Sequence, residues 1–260
     1  MKKISIGIAL LTLAVLLVPS KLSAKTLNMV FLYPGEAGST EEAKPVLELF
    51  FNAIDERISP LDVSGDYFND LSKGAKYIKT NRPTIGIVSY SSYIQNPELF
   101  NGASVVLSVL PFPEKKTTET YKLIGLTKKH TGEITIYSSE PLSKSFINSH
   151  LFKNLTNFET EQTSQMFLML NKIASGEKNA VAILTPMEAF TFDKLSIPWV
   201  KKLRVLENSE KVPTARVVSF NDTDKTKIDK IINALLSLNQ SEEGKAILLE
   251  LRLSGFKEIK

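Results

Sequence analysis

Apolar and polar positions divide the chain into short β-rich runs separated by segments of helical period. Residues 27–33 form an apolar run closed by Pro34-Gly35, the pattern of a strand entering a turn. Over residues 41–58, apolar side chains recur at helical spacing through Val46, Leu47, Phe50, Ala53, Ile54 and Ile58. Ser39 with Glu42 resembles a capping box. That start would place Pro45 in the second turn, where it removes a hydrogen bond, so the helix proper is expected to begin near Ala43. Residues 68–79 read as a second helix. Residues 84–89 read as a buried strand, followed by a polar-aromatic loop, Tyr90-Ser91-Ser92-Tyr93. Further strands are expected at 105–110, 121–127, 133–137, 180–184, 203–206 and 216–220. Helices are expected at 142–152, 163–174, 225–238 and 241–253, the last stopped by Gly255.

Strands alternating with helices imply βαβ units and mostly parallel sheets, an α/β protein. Two stretches, 111–120 (P-F-P-E-K-K-T-T-E-T) and 207–213 (E-N-S-E-K-V-P), are polar and carry proline. They bracket about 90 residues, as two connectors would if one lobe interrupted another. The expected organisation is residues 25–114 plus 214–260 as one discontinuous lobe and 118–210 as the second.

The first 24 residues have the three parts of an export signal. Lys2 and Lys3 precede an uncharged run from Ile4 to Val18, and Leu22-Ser23-Ala24 ends it with small residues. The run is shorter than the roughly 20 residues a membrane-spanning helix needs. Cleavage after Ala24 is therefore expected. It removes Lys2, Lys3 and Lys21, so the formal charge falls from +4 to +1. Near-neutrality gives no electrostatic case for nucleic acid. With no cysteine to carry a lipid, the expected product is a periplasmic protein without a lipid anchor, and a monomer.

The absence of cysteine also excludes thiolate metal sites, iron–sulfur clusters and a cysteine nucleophile. The two histidines, His130 and His150, are separated in sequence and read as surface or lobe-contact residues. No G-x-S-x-G elbow or H-E-x-x-H helix is present. No catalytic residue, metal or cofactor is expected.

Several segments together resemble a family. They are V-L-E-N-S-E-K-V-P-T-A-R-V-V-S-F at 205–220, S-E-E-G-K-A-I-L-L-E-L-R-L-S-G-F at 241–256, I-G-I-V-S-Y-S-S-Y at 85–93 and Y-S-S-E-P-L-S-K-S at 137–145. In this order and behind an export signal, they resemble the substrate-binding component of an ABC importer, in the phosphate/phosphonate-binding branch of type II periplasmic binding proteins. The resemblance implies a two-lobed fold with two hinge connectors, no enzymatic activity, and a small ligand held in the cleft. It implies delivery to a permease in the inner membrane; a membrane kinase fed by a ligand-sensing module is the alternative partner.

Candidate ligand contacts are Tyr33 at the end of the first strand, Ser39 and Thr40 before the first helix, and Ser89, Tyr90 and Ser91 after the 84–89 strand. Ser138, Ser139 and Ser143 lie between a strand and a helix, and Thr185, with Glu188 nearby, follows the 180–184 strand. Hydroxyls and helix N-terminal amides suit an oxyanion such as phosphate or a phosphonate. Two features of the same sequence point elsewhere. Glu140 stands where an anion-contacting helix opens, and would repel an anion unless it turns away or meets a cation. Phe31, Tyr33, Tyr90, Tyr93, Phe190 and Phe192 at the cleft edge admit an apolar or aromatic ligand. Residues 114–119 read as a solvated connector, and the run Met166 to Leu170 as core.

Overall fold

The computed structural model describes residues 26–36, 38–126, 132–153, 155–220 and 224–259. The export signal and His130 lie outside these residues. No helix among the described residues is long and apolar enough to cross a membrane.

The first sheet contains strands β1 (Thr26–Leu32), β2 (Asp62–Phe68), β3 (Ile85–Val88), β4 (Ser104–Pro111), β12 (Arg216–Ser219) and β13 (Leu253–Glu258), in the order β13-β4-β12-β3-β1-β2. The second contains β6 (Lys122–Gly125), β7 (Ile134–Ser138), β8 (Phe158–Gln162), β9 (Ala180–Leu184) and β10 (Arg204–Asn208), in the order β10-β6-β9-β7-β8. Between them lies a two-stranded ribbon of β5 (Thr118–Glu119) and β11 (Val212–Pro213), with Glu119 opposite Val212.

The sheets are mixed, which corrects the expectation of mostly parallel pairing. β1 pairs in parallel with β2 and β3, and β7 with β8 and β9. β12 is antiparallel to β3 and β4, β13 to β4, and β6 to β9 and β10. The reason lies in the crossings. A strand leaving through the edge that faces the other sheet runs toward that edge. A strand arriving through it, as β6 and β12 do, must run away from it.

Each sheet is covered on both faces. Helices α1 (Thr40–Ile58), α7 (Lys225–Ser237) and α8 (Glu242–Glu250) pack Phe50, Ile54, Ile231 and Leu248 onto the first sheet. α2 (Leu71–Asn81) contributes Ile78 to the other face. In the second sheet, α5 (Met166–Ser175) supplies Met166, Leu170 and Ile173. Phe146, Leu151 and Phe152, from α4 (Lys144–Phe146), the π-helical turn over Ile147–Leu151 and the residue after it, cover the opposite face. Each such side chain contributes about 1.5–3 kcal/mol on full burial.

Several boundaries differ from the sequence reading. α1 starts at Thr40, with the complete Ser39–Glu42 capping box and Pro45 inside the helix. The cap satisfies both ends of the first turn, and the hydrogen bond Pro45 cannot make falls on the carbonyl of exposed Glu41. Residues 90–93 form the start of a helix, α3 (Tyr90–Gln95), rather than a loop. The last helix ends at Glu250, and the residues around Gly255 (φ +142°) run as β13, the edge strand beside β4. β2 and β8 had no counterpart in the pattern.

Candidate functional site

The C-terminal ends of β1, β3, β7 and β9 face a common cleft of about 670 Å³ between the two sheets. The loops after them carry Tyr33 to Glu36, Ser89 with Tyr90, Glu140, and Thr185. The β5–β11 ribbon adds Thr118, Glu119 and Thr120, and Tyr121 follows. Of the residues proposed from sequence, Tyr33, Ser39, Ser89, Tyr90 and Thr185 line this cleft. Thr40, Ser91, Ser138, Ser139 and Ser143 are not part of its wall. Phe31 and Phe190 reach it. Tyr93 packs on Phe100, and Phe192 is buried behind β9, so neither forms the cleft edge.

The hydroxyls are largely committed to the protein itself. Ser39 caps α1, accepting the Glu42 amide at 3.1 Å. The Thr40 hydroxyl donates to the Tyr67 carbonyl at 2.8 Å. Ser89 caps α3: it accepts the Ser92 amide at 3.2 Å, donates to the Ser92 hydroxyl at 2.8 Å and lies 3.1 Å from that of Ser91. Ser91 in turn hydrogen-bonds the Glu140 carboxylate, and Ser139 that of Glu188. Ser143 caps α4, accepting the Phe146 amide at 3.2 Å. Thr185 caps α6 (Pro186–Phe192) in a second capping box with Glu188. Only two hydroxyls are buried without a partner among the described residues that bear on the site. One is Tyr33 Oη, on a residue whose ring lines the cleft. Ser138 Oγ adjoins a smaller cavity of about 300 Å³ beside Glu140.

Carboxylates dominate the floor. Glu140 is 9% exposed and accepts hydrogen bonds from Tyr121 Oη at 3.1 and 3.3 Å. Withdrawal from water pushes its pKa up to about 7, against the lowering effect of the Ser91 and Tyr121 bonds. Glu119 is pushed up to about 8, chiefly by desolvation and then by the charges of Glu140 and Glu36. Glu188 is also raised by burial, in spite of its capping bonds. The phenols of Tyr33, Tyr67 and Tyr121 are held in the neutral form by desolvation and by these same carboxylates or, for Tyr67, by Glu36. The reading of 114–119 as a solvated connector is therefore corrected at Glu119. Pairing of β5 with β11 turns this side chain into the cleft, which local polarity could not reveal. Glu36, Tyr67 and Tyr121 were also missed. Glu36 follows the Pro34-Gly35 turn, Tyr67 is near the end of β2 and Tyr121 precedes β6, positions that local polarity does not mark.

The two sheets meet at specific points around the cleft. Gln95 of α3 donates to the Pro141 carbonyl at 3.2 Å and accepts the Ser143 amide at 2.8 Å. The Tyr90 ring lies 6.2 Å from Phe146 and 6.0 Å from His150, which places His150 at this contact. The Pro34-Gly35 turn abuts the Ser139–Glu140 backbone so closely that a Cβ on Gly35 would stand 2.1 Å from the Ser139 carbonyl oxygen. Among the described residues, no group of three or more His, Asp or Glu is placed to hold a metal ion.

Residues 134–260 match the family model described as ABC transporter, phosphonate, periplasmic substrate-binding protein. No curated protein matches the chain by sequence. Among solved structures, the binding-protein component of an ABC phosphonate transporter from Pseudomonas aeruginosa is similar, with a TM-score of 0.65 at 13% identity over 90% of this chain and 81% of that one. PhnD1 from Prochlorococcus marinus, in complex with methylphosphonate, gives 0.65 at 9% identity over 91% and 93%. A Xanthomonas citri protein bound to chloride gives 0.69 at 11% identity over 90% and 92%. At such identities the structural likeness is one of fold, the two-lobed α/β fold of periplasmic binding proteins. Together with the family match it bears out the resemblance read from the sequence. The matched family is one of periplasmic substrate-binding proteins, which are not enzymes.

Proposed function

From the family match over residues 134–260 and the two-lobed fold, we propose that this protein is the solute receptor of an ABC importer. It captures a small ligand between its lobes and hands it to a permease. The division proposed is residues 25–114 plus 214–260 against 118–210, with the β5–β11 segments as hinges and Lys25 as the first residue after export. The observation that carries this reading is the cleft itself. It lies at the C-terminal ends of parallel strands from two sheets, where open α/β sheets bind ligands, and the chain crosses beside it twice. Such a protein works by a population shift between open and closed lobes, so any ligand that favours the closed form also stabilises the fold.

The test is a thermal-shift panel on the exported protein spanning phosphate, phosphonates, amines, amino acids and aromatic heterocycles, followed by small-angle X-ray scattering. One ligand class is expected to raise the melting temperature and shrink the radius of gyration. A ligand that binds with no change in dimensions overturns the receptor reading. N-terminal sequencing of the same material checks processing, and Met1 at the start would overturn that part.

A further inference from the structure

Resting on the receptor reading, we propose that the ligand is an organic cation, an ammonium group on a largely apolar body, held by Glu119 and Glu140, and that the cleft rejects phosphate and phosphonates. The first argument is charge balance. Three other acids around the cleft have cations, Glu114 with Lys116 at 2.6 Å, Asp193 with Lys122 at 2.6 Å and Glu36 with Arg252 at 3.8 Å, while Glu42 and Glu250 on its wall are exposed to water. Among the described residues neither Glu119 nor Glu140 is ion-paired, although both face the cleft and Glu140 is buried. A desolvated carboxylate without a counter-charge costs stability while ionised, so it takes up a proton or a cation.

The second argument is the supply of donors. An oxyanion needs free hydroxyls and amides. Ser91 and Tyr121 already donate to Glu140, Ser139 is bonded to Glu188, and the Ser89 hydroxyl donates to that of Ser92. An anion entering here would meet a carboxylate where it requires a donor. Tyr33 Oη is buried and unpartnered, and as a neutral phenol it can donate or accept, so it favours neither ligand class. The rings of Tyr33, Tyr67 and Tyr121 line the same space, and aromatic faces attract cations. Phe31, Leu47, Val109, Phe112, Met187 and Phe190 form apolar walls for the remainder of the molecule. The described residues offer no third carboxylate or histidine placed to complete a metal site, so the cation is organic.

Protonation supplies a signed test. Glu119 and Glu140 have like charges near them in Glu36 and Glu188 and phenols in Tyr33, Tyr67 and Tyr121. Arg252 sits on Glu36, and Lys116, Lys122 and Lys211 lie on the cleft wall. The two raised carboxyls are partly protonated at neutral pH. A cation displaces those protons, so its affinity must rise from pH 6 to 8.5. An oxyanion would favour protonation, and its affinity must fall.

The experiment is isothermal titration of the exported protein with tetramethylammonium, phenethylammonium, methylphosphonate, phosphate and zinc chloride, at pH 6 and pH 8.5. At least one ammonium probe is expected to bind, about tenfold or more tightly at pH 8.5. Glu140→Gln and Glu119→Gln should each weaken it about tenfold or more, and Glu48→Gln, on the exposed face of α1, should not. Circular dichroism melts verify that the variants fold. The proposal is overturned if neither ammonium probe binds, if binding weakens with pH, or if zinc binds alone. Methylphosphonate binding with lobe closure would refute the cation and leave the receptor standing; absence of closure with every ligand class would remove the receptor reading as well.

Discussion

Gly35→Ala separates lobe closure from folding. Gly35 has φ +87°, and its amide donates to the Asn69 carbonyl at 3.0 Å. An added Cβ would stand 2.1 Å from Ser139 O, 2.5 Å from Ser139 C and 2.8 Å from the Glu140 amide nitrogen. All three are backbone atoms following β7 of the second sheet, so no side-chain rotation relieves the overlap. The strands on either side must separate by roughly 1 Å, and overpacking of this kind costs about 1–3 kcal/mol. Under the proposed open-to-closed shift, that cost exists only in the closed form. The left-handed backbone costs a further ~1–2 kcal/mol for a residue with a Cβ, but it is present in open and closed forms alike. The first term therefore acts on affinity and the second on stability. A probe that binds the wild-type protein should bind Gly35→Ala about 5- to 150-fold more weakly, with a melting temperature lowered by a few degrees. Titration calorimetry gives the affinity, and scattering with saturating ligand gives the closed dimensions. A variant that melts lower yet binds and closes as wild type would refute the reasoning, because the turn would not then meet residues 139–140 in the bound state.

Three further outcomes are expected. Glu119 and Glu140 have folded-state pKa values raised to about 8 and about 7 from 4.5, so the folded protein holds more protons than the unfolded chain between those limits. Their contribution is complete below about pH 4.5 and is lost as pH rises toward 8; Glu119→Gln and Glu140→Gln should each flatten the fall in melting temperature over that window, and unchanged slopes would argue against their burial. Thr185→Ala removes a buried helix cap and should lower stability in urea by about 1 kcal/mol. Ser138→Ala deletes a buried hydroxyl that has no partner; since an unsatisfied buried polar group costs about 1–3 kcal/mol, the variant should melt at or above wild type, and a clear fall would show that Ser138 has a partner in solution.

The pattern of the sequence revealed strands β1, β3, β4, β9 and β12 because each is a nearly continuous apolar run, as doubly covered strands are. It did not reveal β2 (D-V-S-G-D-Y-F) or β8 (F-E-T-E-Q), where mean hydropathy is low and residues on one face remain exposed. These are sheet-edge strands, paired on one side only. Of the hydroxyl clusters only that around Ser143 was legible as a helix start; Ser89 and Thr185 also cap helices, which the structure revealed. Their use was not legible. Whether a capping hydroxyl also reaches a ligand depends on what stands opposite, and at Ser91 and Ser139 that is a carboxylate.

Local chemistry within the chain was enough to specify the alternation of strands and helices, the export signal as an expectation, and the absence of cysteine chemistry. These depend on neighbours within a few residues, where periodicity and hydrogen-bonding geometry act. Only the tertiary structure placed Glu36, Glu119 and Glu140 around one cleft, although 21 to 104 positions separate them along the chain. Desolvation and mutual repulsion, which raise the Glu119 and Glu140 pKa values, arise from that convergence. The directions of β6 and β12 were likewise set by the route of the chain between sheets. A strand's residues fix which faces it buries, whereas its orientation follows from the edge by which the chain enters the sheet.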